Sequence, residues 1–126
     1  MMEETRNEEL EQLLKKADSL DWRYTIYYEP EGTYNGWHYD ERHYVELKKY
    51  SPTGEDFSMI IDFDIDNTLD SFLENLKAYS ENFDIDEHVE MWIPERGNSG
   101  CPSGIRELVE DAENIQNMII ELYQCL

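Results

Sequence analysis

Basic side chains are scarce in this chain of 126 residues. Ten Lys and Arg residues stand against 30 Asp and Glu residues, which gives a formal net charge of −20. A surface of this sign repels the phosphates of nucleic acids and the headgroups of anionic lipids. The composition therefore argues against direct binding to nucleic acid or to a membrane, and it predicts a basic protein as the natural partner.

Cysteines and long apolar runs are also lacking. The two cysteines, Cys101 and Cys125, are too few for a disulfide framework and too far apart for a C-x-x-C pair. No apolar run approaches the roughly 20 residues that a membrane-spanning helix needs, and the acidic N-terminal segment does not resemble a signal peptide. We therefore expect a cytoplasmic protein with free thiols.

The apolar residues that are present predict a single acidic α+β domain over residues 1–126. A capping box at Thr5–Glu8, followed by leucines at helical spacing, predicts a helix from about Thr5 to Ser19. Alternating polarity then predicts an antiparallel meander of three strands. The strands are Trp22–Tyr28, His43–Tyr50 and Phe57–Ile65.

Three further helices are predicted after the strands. Helical periodicity runs from Leu69 to Phe83, and a short helix follows Asp84 or Asp86 through Trp92. Ser103 is the expected N-cap of the last helix. Its expected buried stripe is Ile105, Leu108, Val109, Ala112, Ile115, Ile119, Leu122 and Leu126. The predicted fold is a three-stranded antiparallel sheet with helices packed on one face, in the order αβββααα.

The acidic residues are concentrated between Met59 and Glu95. This segment carries a net charge of −10, because eleven acidic residues are offset only by Lys77. Alternation along the third strand predicts that Met59, Ile61, Phe63 and Ile65 face the core, whereas Asp62, Asp64 and Asp66 form an exposed ladder. The expected acidic surface continues through Asp70, Glu74, Glu81, Asp84, Asp86, Glu87 and Glu90.

The stretch MIIDFDIDNTLDSF, from Met59 to Phe72, resembles two known sites in part. The string from Asp64 to Leu69 is similar to the first motif of haloacid dehalogenase-type phosphatases, with Asp64 as nucleophile and Asp66 as general acid. The only later lysine is Lys77, however, and the chain is too short for a doubly wound sheet. Asp62, Asp64 and Asp66 also have the first spacings of an EF-hand calcium loop, but such a loop would have Asn67 in place of the turn glycine and Leu73 in place of the bidentate glutamate.

Other motifs are incomplete as well. His88, Glu90 and Cys101 match part of the zinc-deaminase pattern, but Gly104 replaces the second cysteine. His38 and His43 have no further soft ligands nearby. The order α-β-β-β-α is similar to the double-stranded RNA-binding domain, whose basic helix start is absent here. We therefore expect no enzymatic activity, no cofactor and no metal site, although the nearby carboxylates leave incidental binding of a divalent cation open.

The concentrated charge has two interpretations. One is a solvated face that keeps the protein soluble. The other is imitation of a nucleic-acid backbone. Duplex DNA carries one charge per about 1.7 Å of axis, whereas same-face residues of one strand are about 6.6 Å apart. A mimic therefore requires that the strand, the next helix and the short helix share one side.

A second candidate surface is an aromatic hairpin. Tyr34, Trp37, Tyr39 and Tyr44 crowd a turn-rich polar segment, and clustered Tyr and Trp are typical of interface hot spots. They equally suit a cover over the open face of the sheet.

Two segments carry a family resemblance. FDIDEHVEMW (Phe83–Trp92) and PSGIRELVEDAENI (Pro102–Ile115) resemble a segment of small acidic, largely uncharacterised proteins of gut-bacterial phages and mobile elements. In layout and charge the chain also resembles small acidic anti-CRISPR proteins, which occupy the DNA-binding surface of a CRISPR nuclease. The resemblance implies a DNA mimic of anti-CRISPR or anti-restriction type. The alternative is a binding module that uses the aromatic hairpin.

Overall fold

The computed structural model of the chain describes residues 3–98 and 102–126. Within them lie six strands, four α-helices and two short 3₁₀ helices at Ile65–Asn67 and Ile93–Glu95. The elements follow in the order β1 (Glu3–Glu4), α1 (Glu8–Asp18), β2 (Arg23–Glu29), β3 (Gly32–Tyr34), β4 (Trp37–Tyr39), β5 (Arg42–Tyr50), β6 (Asp56–Asp62), α2 (Thr68–Asn82), α3 (Ile85–Trp92) and α4 (Ile105–Cys125). The α+β class is thereby confirmed. Cys101 lies outside the described residues, and Cys125 is a free thiol.

The main sheet has four antiparallel strands in the order β1-β2-β5-β6, so the prediction of three strands is wrong. The additional strand β1 occupies residues next to those assigned to the first helix. The backbone N–H of Thr5 bonds to the carbonyl of Ile26 at 2.9 Å and thus belongs to the sheet. Helix α1 therefore begins at Glu8, with the Asn7 side chain as its N-cap.

The predicted order of elements is also incomplete between β2 and β5. Strands β3 and β4 form a separate two-stranded sheet. Asn35 and Gly36 connect them, both with positive φ (50° and 82°). Two central residues with positive φ are what a tight hairpin turn requires, and Asn-Gly is the pair that adopts this conformation most readily.

The core lies on one face of the main sheet. Along β6, Phe57, Met59 and Ile61 are buried while Ser58 and Ile60 are exposed, as the alternation predicts. Buried residues of α1, α2 and α4 complete this core: Leu10, Leu14, Ala17, Phe72, Leu76, Ile115, Met118, Ile119 and Leu122. No described helix is long and apolar enough to cross a membrane.

Helix α3 packs against α4 through a smaller apolar cluster. Val89 of α3 meets Leu108 and Ala112 of α4. Helix α4 begins at Ile105 after Gly104 rather than after an N-cap at Ser103. Ile105 was predicted to be buried but is exposed, because the cluster engages the helix only from its second turn. This packing holds α3 beside α2 and close to the outer strand β6.

Candidate functional site

A groove of about 510 Å³ opens beside the outer strand β6. Three carboxylates from successive parts of the chain line it: Asp62 at the end of β6, Asp84 before α3 and Glu87 in the first turn of α3. Asp84 also caps α3 by accepting the backbone N–H of Glu87 at 3.2 Å. The rest of the lining consists of Ile60, Ile61, Asn75, Ala78, Tyr79, Asn82, Phe83, His88 and Met91. The groove therefore combines an apolar floor with acidic rims.

Two further hollows adjoin this groove. One lies beside the start of β5 and shares Asp62 with the groove. The other lies between the α2–α3 connection and α4, and shares Asp84. We call the carboxylates that line the three hollows the acidic surface. They are Glu41, Asp62, Asp64, Asp66, Asp84, Asp86, Glu87 and Glu113.

Positive charge on this surface is slight. Arg42 is the only Lys or Arg among the described residues that line the three hollows, and its Nε lies 2.9 Å from Oδ1 of Asp62. Both side chains are about half exposed, and exposed ion pairs of this kind contribute only about 0–1 kcal/mol. A cationic partner group can therefore displace Arg42 at little cost, and the other seven carboxylates face no Lys or Arg within these hollows.

The predicted ladder of Asp62, Asp64 and Asp66 is wrong in its geometry. Strand β6 ends at Asp62, and the backbone N–H of Asp64 bonds to Oγ of Ser71 on α2 at 2.8 Å. The chain then turns into a 3₁₀ helix, so Ile65, predicted to be buried, is exposed. All three aspartates remain exposed, but they line the end of the strand and a loop. The edge position of β6 in an antiparallel sheet also differs from the parallel, doubly wound setting of the phosphatase motif.

The other predicted acids divide into two groups. Asp84, Asp86 and Glu87 belong to the acidic surface. The remaining four are exposed on α2 and α3 but line none of the three hollows: Asp70, Glu74, Glu81 and Glu90. Sequence reasoning did not identify Glu41 and Glu113, because only the tertiary packing brings them beside the charged segment.

The β3–β4 hairpin presents aromatic side chains to solvent. Tyr34 and Trp37 lie directly opposite each other next to the turn, with 71% and 79% of their surfaces exposed. Tyr39 lies across the hairpin against Gly32, where an added Cβ would come within 2.6 Å of the tyrosine hydroxyl. The hairpin therefore holds two large aromatic rings in the open, where a partner can reach them.

Tyr44 does not belong to this exposed hairpin, contrary to the prediction. It lies in β5 and is only 5% exposed. Its ring packs on Tyr27 at 5.4 Å between centroids, and the Arg42 guanidinium lies 4.5 Å from its centroid. Tyr44 thus helps to cover the open face of the main sheet, as the alternative interpretation of the aromatic residues held.

Sequence reasoning missed a buried polar cluster between the β5–β6 turn, α3 and α4. It consists of Ser51, Glu55, His88 and Asp111. Nε2 of His88 donates to Oε1 of Glu55 at 3.0 Å, and Oγ of Ser51 donates to Oδ2 of Asp111 at 2.8 Å. Because His88 also lines the groove, the cluster fixes α3 and with it the carboxylates at the start of this helix.

The cluster places the carboxyl groups of Glu55 and Asp111 next to each other. Burial raises the pKa of Glu55, the hydrogen bond from His88 opposes this, and the neighbouring Asp111 carboxyl reinforces it. Oε2 of Glu55 and Oδ1 of Asp111 have no other partner among the described residues. A proton on Glu55 that is donated to Asp111 satisfies both atoms, and buried polar atoms are rarely left unsatisfied.

A signal for this cluster was present in the sequence. Asp111 follows Leu108 by three residues and precedes Ile115 by four, so it lies on the apolar face of α4. A charged residue in such a position is almost never buried without a partner. Asp111 therefore indicated a polar neighbour in the core, although its identity depended on the fold.

The hairpin also brings together three possible metal ligands. Ligand atoms of Glu31, His38 and Asp40 all lie within 4.8 Å of one another, and all three residues are exposed. His38 already contacts Asp40, with 3.2 Å between Nε2 and Oδ1. Exposed acidic groups of this kind are common without an ion, so the cluster remains a surface feature of the hairpin.

Comparison of the chain with protein-family models, with curated proteins and with solved structures found no match.

Proposed function

We propose that this chain is a non-enzymatic interaction protein that binds the basic nucleic-acid-binding groove of a partner protein and thereby inhibits it. The observation that carries the proposal is the continuity of the acidic surface through Asp62 and Asp84. Eight carboxylates from β6, α3, α4 and the connecting loops line the three hollows. The acids of α2, which the sequence-based hypothesis required on the same side, line none of them, and Glu41 and Glu113 extend the surface instead. The partner does not have to read base edges to bind this surface, because charges arranged like phosphates are enough to position the two proteins.

The density of charge favours mimicry over solubility alone. A small domain needs a net charge of only about 2 to 8 in magnitude for solubility, with both signs interspersed. Here a single arginine lines the three hollows. Carboxylates within about 8 Å of one another, the Debye length at physiological salt, act as a combined field rather than as separate charges. Such a field attracts a basic groove and speeds its association.

The partner class follows from the charge together with the sequence resemblance. Proteins that bind DNA without base contacts present Lys and Arg to the phosphates. A CRISPR nuclease or a restriction enzyme has such a groove, and the resemblance of the chain in charge to small acidic anti-CRISPR proteins supports these two classes. Direct binding to nucleic acid or to an anionic membrane is disfavoured by the same charge.

A competition assay tests the proposal. Purified CRISPR nucleases and restriction enzymes are titrated with the protein in the presence of a labelled DNA duplex. We expect displacement of the duplex from at least one class, with a half-inhibitory concentration that rises with DNA concentration. Binding of this protein to such an enzyme without displacement of the DNA would contradict mimicry.

A second candidate function rests on the hairpin. Tyr34 and Trp37 are the kind of large, rigid anchors that dominate binding energy at interfaces, and they are more than two-thirds exposed. In this alternative, the hairpin carries the contact and the acidic charge only keeps the protein dissolved. Binding would then be insensitive to salt and would fail when both rings are removed.

A further inference from the structure

Strand β6 has an open backbone edge. Among the strands of residues 3–98 and 102–126, it pairs only with β5 in the main sheet. The N–H of Phe63 bonds to the carbonyl of His43, and the N–H of Ser51 bonds to the carbonyl of Glu55. In an antiparallel ladder, pairs that exchange hydrogen bonds alternate with pairs that do not. From either of these bonds, counting along the register places Ser58 and Ile60 in non-bonded pairs, so their N–H and C=O groups point away from β5.

The outward groups of Ser58 and Ile60 have no hydrogen-bond partner among the described residues. Further along, the open stretch is limited by Asn75, whose Nδ2 donates to the carbonyl of Asp62 at 2.8 Å. Native proteins protect an edge with Lys, Pro, a bulge or a covering element. Between Ser58 and Ile60 the register is continuous and the side chains are uncharged. The middle of β6 is therefore a free template for another strand.

The groove described above runs beside this edge. Ile60 is 45% exposed and Met91 is 63% exposed on its two sides. Its volume lies within the range of about 300–1,000 Å³ that is usual for ligand clefts. The carboxylates of Asp62, Asp84 and Glu87 stand at its rim. Apolar surface, free backbone groups and negative charge thus meet at one place.

We propose that β6 binds an extended, positively charged segment of a partner protein by strand addition. The added strand bonds to the outward groups of Ser58 and Ile60. In such a strand, side chains alternate and those of one face are about 6.6 Å apart. Apolar side chains of the added strand pack on Ile60 and Met91, and Lys or Arg side chains reach the acidic rim.

The negative charge of the chain favours a positively charged segment over a second copy of the chain as the strand that pairs with β6. Pairing of two β6 edges would bring together two chains of net charge −20, and like charges across an interface cost several kcal/mol. The inference shares one premise with the proposed function, namely a basic partner. It differs in assigning the contact to backbone hydrogen bonds, which no neutralisation of a carboxylate removes.

A peptide of the length of β6, seven residues, tests the inference. The probe alternates Lys and Val, and its matched controls alternate Glu and Val or carry N-methyl groups on the amides that would pair. The readouts are the dissociation constant and the hydrogen exchange of the Ser58 and Ile60 amides. Of these peptides, we expect only the Lys-Val peptide to bind. Its binding should slow hydrogen exchange at the Ser58 and Ile60 amides at least about tenfold.

A backbone variant sharpens the test. Ser58→Pro removes one outward N–H without removing a β5–β6 hydrogen bond, and Ser58→Ala is its control. We expect Ser58→Pro to weaken peptide binding at least about tenfold, while Ser58→Ala changes it less than about threefold. Circular dichroism and thermal unfolding check whether the Ser58→Pro variant is folded. If the variant is unfolded, the exchange experiment on the unmodified chain still tests the inference.

Three results would overturn the inference. They are no saturable binding below about 1 mM, the weak end of specific affinity; binding without added protection at Ser58 and Ile60; and a peptide-free dimer in which these amides are already protected. If one of these results is obtained while the chain still displaces DNA from an enzyme, strand addition is rejected and the proposed function stands.

Discussion

Nε2 of His88 on α3 lies 3.0 Å from Oε1 of Glu55, which follows the β5–β6 turn 33 residues earlier in the chain. Both side chains are buried, and Glu55 is next to Asp111 of α4. This contact ties three elements together at the base of the groove. The acidic surface thus depends on a buried polar cluster.

The cluster predicts different outcomes for two substitutions of Glu55. In Glu55→Gln, the amide oxygen still accepts from His88 and the amide nitrogen donates to Asp111, so we expect unfolding free energy at neutral pH to stay equal or rise by about 1–2 kcal/mol. Glu55→Ala leaves His88 and Asp111 without partners and should cost about 2–4 kcal/mol. Urea unfolding measures both. Equal losses in the two variants would contradict the shared-proton arrangement.

The raised pKa of Glu55 predicts a pH dependence of stability. Above the ordinary glutamate pKa of about 4.3, the unfolded chain loses this proton while the native chain, with its raised pKa, retains it. The native state then binds more protons, so the contribution of Glu55 to stability falls as pH rises through its native pKa. Ser51, His88 and Asp111 are the polar groups that face Glu55 in the cluster.

Unfolding free energies at a series of pH values check this slope. Glu55→Gln should flatten it, whereas Glu90→Gln, the same substitution on the exposed face of α3, should not. If the two variants flatten the curve equally, general charge repulsion explains the slope and Glu55 has no special part in it.

The exposed hairpin predicts a separation of binding from stability. Tyr34→Ala together with Trp37→Ala removes two exposed rings, so unfolding free energy should change by less than about 0.5 kcal/mol. If the acidic surface carries partner binding, affinity for the enzyme from which DNA is displaced should fall less than about threefold. Contacts outside the hot spots of an interface commonly contribute little binding energy. A loss of about 100-fold or more would favour the hairpin alternative.

Local patterns predicted most elements but not their limits. The alternation in β6 and the helical periodicity of α2 and α4 are local properties of the chain, and the capping of α3 by Asp84 depends only on neighbouring residues. Strand β1 depends on pairing with β2 more than 20 residues later. Nothing within Glu3–Glu4 distinguishes a strand from the start of an acidic helix.

The candidate site was predictable only in part, for a related reason. Composition located the charge in residues 59–95, and the exposed fractions of Tyr34 and Trp37 agree with the predicted hairpin. The additions of Glu41 and Glu113, the burial of Tyr44 and the cluster around Glu55 all follow from packing between distant segments. A single sequence carries no record of such contacts.

The most direct test of the central claim compares two triple variants with the same change of charge. One neutralises the groove by Asp62→Asn, Asp84→Asn and Glu87→Gln. The other neutralises exposed acids outside the hollows by Asp70→Asn, Glu74→Gln and Glu90→Gln. Asn at position 84 retains the helix cap, so both variants should fold.

The measurement is the inhibition constant for displacement of DNA from the partner enzyme, at low and at physiological salt. At about 1 kcal/mol for each carboxylate, the groove variant should inhibit roughly 100-fold more weakly, and its affinity should depend less on salt. The control variant should change less than about threefold. Equal inhibition by the two variants would contradict the assignment of binding to the acidic surface around β6 and α3.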